Sequence, residues 1–122
     1  MRGIGTDIVD VRRLSRSMRR QASFVEMVFS ENERRFCDAQ PRPDRHYAAR
    51  FAAKEAFLKA LGMGVFGGVA LREIEVVREP GGASLLRLGP TAAAALRQAG
   101  GDHPLLSLSH QREMALAFVV VP

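Results

Sequence analysis

The chain has 122 residues, of which 47% are hydrophobic and 25% are charged, and its net charge at pH 7 is +5. This length predicts one domain over residues 1–122 and excludes a two-lobed architecture, because it allows one hydrophobic core but not two. The longest apolar run, residues 114–121, is too short to cross a membrane, and the N-terminus lacks the pattern of a signal peptide. A single cysteine, Cys37, excludes an internal disulfide and favours the reducing cytoplasm.

The excess of positive charge favours an anionic partner, which is a nucleic acid, an acidic protein or a polyphosphate ligand. The chain has no tryptophan, one tyrosine and no motif typical of RNA- or DNA-binding domains. We therefore expect neither a nucleic-acid partner nor a membrane.

Residues 3–11, GIGTDIVDV, predict a strand because of their β-branched content. The alternation of side chains along a strand puts Asp7 on the same face as the apolar residues Val9 and Val11. Two interpretations of Asp7 stay open at this point. It is either a solvent-exposed carboxylate at the edge of a sheet or a ligand that points into a site.

A short basic helix is predicted for residues 12–20, with five arginines around an apolar stripe: Arg12, Arg13, Arg16, Arg19 and Arg20. Such a face is most often simply solvated, and docking to an acidic partner is the alternative. Two capping boxes, Ser23-x-x-Glu26 and Ser30-x-x-Glu33, then predict the starts of two short helices. The apolar residues of these helices are expected in the core: Phe24, Val25, Met27, Val28 and Phe36.

A long helix is predicted from near Arg45 to Gly62, with Asp44 as its N-cap and Gly62 as the residue that ends it. Small residues recur along one stripe, where another element can approach closely: Ala49, Ala52, Ala53, Ala56 and Ala60. Glu55 and Lys59 lie one helical turn apart. They form either a surface ion pair or part of a site for metal-assisted phosphoryl transfer, in which the carboxylate holds a cation and the ammonium meets a phosphate oxygen.

The remaining chain predicts strands at 71–78 and 83–88, a helix at 90–99, and a hairpin of 105–109 with 113–121 around a turn at 110–112. The predicted fold class is therefore α+β. The C-terminal strands form an antiparallel meander that packs on the long helix through its alanine stripe, and residues 3–11 are a candidate to join the same sheet.

Three segments together resemble one family: GIGTDIVDVRRL at 3–14, RFAAKEAFLKALGMG at 50–64 and LSLSH at 106–110. They are similar to holo-acyl-carrier-protein synthases, which are single-lobe 4′-phosphopantetheinyl transferases. The resemblance covers nearly the whole chain. It implies transfer of the phosphopantetheine arm of coenzyme A to a serine of an apo-acyl carrier protein, with release of adenosine 3′,5′-bisphosphate. It also implies magnesium dependence, a cytoplasmic location and a homotrimer with active sites at the subunit interfaces.

The resemblance assigns Asp7 and Glu55 as ligands of Mg²⁺ and Lys59 as the residue that meets the pyrophosphate of coenzyme A. These residue types suit the chemistry, because Mg²⁺ prefers oxygen ligands and proteins usually supply one or two carboxylates. The base that takes the serine proton stays open between a metal-bound water and Asp7 itself.

The resemblance also implies a coenzyme site lined by Arg50, Lys59, Gly62 and His110. It implies docking of the carrier protein, which is acidic around its modified serine, by Arg13, Arg16, Arg20 and Phe24. The chain departs from the family after the turn at 79–82, where a lysine and a proline are frequent and this sequence has Gly82-Ala83-Ser84. Contacts to the adenosine half of coenzyme A therefore have to differ there.

The alternative of another class is a non-catalytic basic module that binds anions or RNA. It explains the net charge and the arginines of residues 12–20. It does not explain why Asp7 and Glu55 both lie beside apolar surface.

Overall fold

A computed structural model describes residues 2–64 and 67–122 and confirms the α+β class. The described elements are, in chain order, β1 (Gly3–Asp10), α1 (Val11–Arg20), α2 (Ala22–Val28), α3 (Glu31–Asp38), α4 (Pro43–Ala60), a 3₁₀ turn (Leu71–Glu73), β2 (Ile74–Arg78), β3 (Ser84–Leu88), α5 (Pro90–Gln98), β4 (Leu105–Gln111) and β5 (Met114–Val121). None of the helices in these ranges is both long and apolar enough to span a bilayer.

The strands form two antiparallel sheets rather than one meander. One sheet has the order β1-β5-β4, and the other contains only β2 and β3. The predicted single meander is therefore wrong, because α5 lies between β3 and β4 in the chain and each of the two hairpins pairs internally. The prediction that residues 3–11 join the sheet of the C-terminal hairpin is confirmed, with Asp7 opposite Ala117 on β5.

The long helix α4 packs against one face of the β1-β5-β4 sheet, and most of its residues are buried. The alanine stripe was predicted to be a surface of close approach, and the element that approaches it at Ala56 and Ala60 is β1. A Cβ atom built on Gly3 would lie 1.9 Å from the carbonyl oxygen of Ala60, and one on Gly5 would lie 1.9 Å from that of Ala56. Only glycine permits this approach, so the Gly-Ile-Gly segment presses β1 against α4 and brings Asp7 to the helix.

The opposite face of this sheet, the outer sheet face, leaves large apolar side chains exposed to solvent: Ile4, Ile8, Leu105, Met114, Leu116 and Phe118. Phe118 lies on the central strand β5, between Thr6 of β1 and Ser107 of β4. An apolar surface of this extent is typical of an interaction site.

The starts of two helices differ from prediction. Gln21 ends α1 and also precedes α2, so Ser23 lies inside the first turn of α2 and the first predicted capping box does not form. The second box is confirmed, since the Ser30 hydroxyl accepts a bond from the Glu33 amide and the Glu33 carboxylate accepts one from the Ser30 amide.

Helix α4 begins with Pro43 at its first position, where proline's fixed φ suits a helix start. The predicted N-cap Asp44 therefore lies within the first turn and accepts a hydrogen bond from the Ser15 hydroxyl of α1 instead. The expectation that Met27 lies in the core is wrong, because it is 68% exposed on the outer side of α2.

Lys54 occupies the centre of the fold and is fully buried. Its ammonium donates to the Glu33 carboxylate at 2.7 Å and to the carbonyl oxygens of Leu71 and Ile74 at 3.1 and 2.7 Å. Glu33 also accepts the amide of Val76 at 2.9 Å. Burial lowers the pKa of Lys54, and the adjacent Glu33 carboxylate acts in the opposite direction. Lys54 therefore joins α3, α4 and β2 and has a structural position.

Candidate active site

Strand β1 and helix α4 bring together the three residues predicted to carry the chemistry. The Lys59 ammonium donates to the Asp7 carboxylate at 3.0 Å and to the Thr6 carbonyl oxygen at 3.1 Å. Among the residues that the structure describes, Lys59 forms its ion pair with Asp7 and not with Glu55. The Lys59 side chain remains 53% exposed, so it retains donors for a further partner, whereas Asp7 is 17% exposed.

Glu55 lies next to Asp7 and is half-buried. Its pKa is raised, first by burial and then by the neighbouring Asp7 carboxylate, while Lys59 opposes the shift. Two carboxylates in this arrangement repel each other, and a cation between them would relieve the repulsion. No cluster of three or more His, Cys, Asp or Glu side chains occurs in residues 2–64 and 67–122. The pair thus fits Mg²⁺, which usually takes one or two protein carboxylates and completes its shell with phosphate and water.

Asp7 and Glu55 line a cavity of about 530 Å³ beside α1. Arg13 of α1 and Phe24 of α2 line the same cavity, and the rings of Phe24 and Phe51 lie 6.0 Å apart on its wall. Two of the residues predicted to dock a carrier protein therefore border the carboxylates.

The other two predicted docking residues lie elsewhere on α1. Arg16 lines a separate cavity together with Arg12 and Arg19, and Arg20 is exposed at the C-terminal end of the helix. The structure therefore divides the arginines of α1 between two sides of the helix.

A second cavity of about 490 Å³ contains Arg50 and His110, two of the residues predicted to bind coenzyme A. Arg50 is 3% exposed, its guanidinium lies 4.4 Å from the centre of the Phe36 ring, and its Nε atom has no hydrogen-bond partner among the described residues. Burial lowers its pKa. No aspartate or glutamate of the described chain lines this cavity, so a buried cation faces a space without a counter-charge.

His110 lies on β4 and not in the hairpin turn. Strand β4 continues to Gln111, and the turn consists of Arg112 and Glu113, with Arg112 at a φ of 56°. His110 is exposed and faces the second cavity from the strand end.

Comparison with known proteins decides the family. The model of the 4′-phosphopantetheinyl transferase superfamily matches residues 3–119. The chain is 44% identical over 120 residues to a holo-[acyl-carrier-protein] synthase of Syntrophus aciditrophicus, covering 98% of this chain and 94% of the relative. The chain belongs to the holo-[acyl-carrier-protein] synthase family of 4′-phosphopantetheinyl transferases. The family predicted from the three sequence segments is thereby confirmed.

Solved structures of this family share the fold over the full length. The holo-[acyl-carrier-protein] synthase of Neisseria meningitidis superposes with a TM-score of 0.91 at 34% identity, covering 100% of this chain and 98% of that one. The enzyme of Helicobacter pylori, solved in complex with coenzyme A, superposes with a TM-score of 0.84 at 29% identity, covering 98% and 99%.

Within one chain of this family member the two cavities lie on different sides of α4. Arg50 and Glu55 are five residues apart, which separates their side chains by about 140° around the helix axis. The two cavities share no lining residue. Gly62 follows the end of α4 with a φ of 71°, as predicted for a residue at the C′ position, and it does not line the cavity of Arg50 and His110.

Sequence reasoning missed two basic residues of the second cavity, His46 and Arg78. Of these, Arg78 carried a usable signal, because it is the last residue of the predicted strand 71–78 and directly precedes the predicted turn at 79–82. The structure pairs it with Ser84. The position of His46 depends on how α4 packs against β4, and no local pattern reveals it.

Proposed function

We propose that this protein transfers the 4′-phosphopantetheine arm of coenzyme A to a serine of an apo-acyl carrier protein and releases adenosine 3′,5′-bisphosphate. The observation that carries the proposal is the convergence of Asp7, Glu55 and Lys59 in one place, in a chain with full-length similarity to holo-[acyl-carrier-protein] synthases. The structure of one such relative in complex with coenzyme A supports the donor. A non-catalytic anion-binding module would not require two adjacent carboxylates beside a lysine.

In this reaction the serine oxygen forms a bond to the phosphorus that carries the pantetheine arm, and the bond from that phosphorus to the bridging oxygen breaks. The serine O–H bond breaks as well, and its proton passes to Asp7 or to a bound water. Negative charge develops on the departing bisphosphate. Lys59, fixed by Asp7 and the Thr6 carbonyl but half exposed, is placed to donate to that charge. Asp7 and Glu55 would hold Mg²⁺, which supplies charge neutralisation at the pyrophosphate when it is bound.

Coenzyme A carries a third phosphate, which leaves as the 3′-phosphate of the bisphosphate product. Arg50 and His110 would receive this group, because among residues 2–64 and 67–122 no acidic side chain lines their cavity and the Arg50 Nε atom has no partner. A buried guanidinium is stabilised when an anion binds it.

We infer that the active site is completed by a second copy of the chain in a homotrimer with C₃ symmetry. The carboxylate pair and the Arg50 cavity lie on different sides of α4. A single coenzyme A molecule that binds to both would therefore contact the carboxylate pair of one copy and the Arg50 cavity of another. The apolar outer sheet face lies between the two cavities. Ile8 and Met114 of this face line the cavity of the carboxylate pair, and His110, which lines the Arg50 cavity, lies beside them. Association through this face would bury it and close the site.

The Phe118→Glu variant tests this assembly. It places a carboxylate at the centre of the outer sheet face, so we expect a monomer in sedimentation velocity, where the wild type is a trimer, and a loss of transfer of about tenfold or more. Met27→Glu, which adds the same charge at an exposed residue of α2, is the control and should remain a trimer. A fully active Phe118→Glu monomer would contradict the shared site.

We further propose that the carrier protein docks over the cavity of the carboxylate pair, through Arg13, Arg20 and Phe24. The double variant Arg13→Glu/Arg20→Glu should raise the KM for the carrier protein by about tenfold or more and weaken its salt dependence, with little change in the KM for coenzyme A. Arg12→Glu/Arg19→Glu is the matched control, since it makes the same charge change on the other side of α1.

An equal effect of both double variants would mean that the helix acts through its overall charge and has no specific docking face. The role of Arg16 stays a prediction, because its cavity is that of Arg12 and Arg19. The single variant Arg16→Glu assigns it to one side or the other by the same KM measurement.

The proposed function itself is tested by incubating the protein with coenzyme A, Mg²⁺ and an apo-acyl carrier protein. We expect a mass increase of the carrier equal to one phosphopantetheine group, and none when Mg²⁺ is chelated. Unmodified carrier in the complete reaction, together with tight binding of RNA, would favour the non-catalytic alternative. We expect the reaction to take place in the cytoplasm, since the single cysteine of the sequence, Cys37, is a free thiol.

A further inference from the structure

Arg78 lies at the mouth of the second cavity, and the proposed reaction assigns it no role. It is the last residue of β2, it is exposed, and the hairpin register places it opposite Ser84. Both residues line the cavity that holds Arg50 and His110.

Of the other two arginines of the cavity, one is paired within the protein and one is buried at its floor. Arg45 pairs with Glu113 at 3.6 Å, and Arg50 is buried against the Phe36 ring. Arg78 forms no ion pair with any residue in the described part of the chain. It is therefore the cation at the rim that is available to a ligand, while Arg50 forms the floor.

The positive charges of this cavity act on one another. The pKa of His46 is lowered by burial, then by Arg50 and His110, and also by Arg78, and the pKa of Arg50 is lowered in part by Arg78. These groups are thus close enough to repel. Since none of the described residues that line the cavity carries a carboxylate, a doubly charged anion is the partner that would relieve the repulsion.

We propose that Arg78 is a selectivity residue that binds the 3′-phosphate of coenzyme A together with Arg50 and makes the protein prefer coenzyme A to its 3′-dephospho form. The inference rests on the proposed function. The pyrophosphate of coenzyme A is engaged by Lys59 and the carboxylate pair, so the 3′-phosphate is the remaining anionic group. A guanidinium suits it, because its fork of N–H groups binds two phosphate oxygens at once.

The test compares two donors that differ only in this phosphate. We expect the wild type to use coenzyme A with a kcat/KM at least about tenfold above that of 3′-dephospho-coenzyme A, and we expect Arg78→Gln to reduce this ratio about tenfold, through the KM for coenzyme A. Arg78→Lys should restore part of the ratio, because it retains the charge but loses the fork. Arg72→Gln, an exposed arginine of the 3₁₀ turn outside the cavity, is the control and should keep the wild-type ratio.

Two outcomes would overturn the proposal. One is a wild type that uses both donors equally well, and the other is an Arg78→Gln variant that loses the same factor with both donors, which would assign Arg78 to the fold or to the adenosine. In either case transfer by the wild type would persist, so the proposed function would stand. Failure of the proposed function would instead appear as no transfer from coenzyme A at all.

Discussion

Replacing Asp7 with asparagine, or Glu55 with glutamine, is expected to reduce phosphopantetheine transfer by about a hundredfold or more while the fold persists. Each substitution removes one ligand charge with almost no change in side-chain volume. The loss should be greatest at limiting Mg²⁺, and it is measured as the initial rate of carrier modification against Mg²⁺ concentration. Near-normal rates of either variant at limiting Mg²⁺ would refute the assignment of the pair.

The stability of the Glu55→Gln variant separates this role from a structural one. Burial and the Asp7 charge both raise the pKa of Glu55, which means that the fold disfavours its ionised form. Removing that charge should therefore leave the free energy of unfolding unchanged or slightly higher. A residue that held the fold together would show a decrease.

Asp10→Asn is the matched control for both carboxylates. Asp10 is the next carboxylate on β1 and borders the same cavity, but its side chain accepts the Arg12 and Arg13 amides as the N-cap of α1. Asparagine is an equally good N-cap, so this variant neutralises a nearby charge without disturbing the helix. It should retain transfer activity.

The second large effect is expected from Lys54→Met, which should lower the free energy of unfolding by about 3–5 kcal/mol. The substitution leaves the Glu33 carboxylate buried without a counter-charge, and it removes the donor to the carbonyl oxygens of Leu71 and Ile74. Urea denaturation followed by circular dichroism measures the change.

Two further variants test the cause of this effect. Glu33→Gln added to Lys54→Met should recover part of the loss, because a neutral amide is not an uncompensated charge. Arg35→Met breaks the exposed ion pair between Arg35 and Glu31, and it should cost less than about 1 kcal/mol. A Lys54→Met variant as stable as Arg35→Met would show that the buried pair contributes nothing to the fold.

The packing of β1 against α4, the two elements that hold the site, follows largely from local patterns in the sequence. The spacing of alanines along α4 predicted a face that another element can approach closely. In the structure β1 approaches it, and Gly3 and Gly5 permit that approach because neither carries a Cβ atom. Alternation along β1 predicted that Asp7 shares a face with apolar residues, and the structure turns that face toward α4. These predictions succeed because helix and strand periodicities fix which side chains share a face before any tertiary contact forms.

Long-range partners are where the sequence failed. The i, i+4 spacing left open an ion pair of Lys59 with Glu55, but among the described residues Lys59 pairs with Asp7, which is far away in the chain. Lys54 and Glu55 are neighbouring charged residues of α4, and the local sequence does not distinguish a buried charge from one that lines a cavity. The structure buries Lys54 as a structural cation and leaves Glu55 beside Asp7 at the cavity.

The sequence by itself thus determined the family and the α+β class, and it predicted Asp7, Glu55 and Lys59 as site residues. These conclusions depend on short segments whose patterns are local. Only the tertiary structure decided that Arg50 and Arg78 share an acid-free cavity and that this cavity and the carboxylate pair lie on different sides of α4. It also showed that the outer sheet face is apolar and exposed. The physical reason is that the burial and pairing of a charge depend on which distant elements pack around it, and sequence periodicity does not specify that packing.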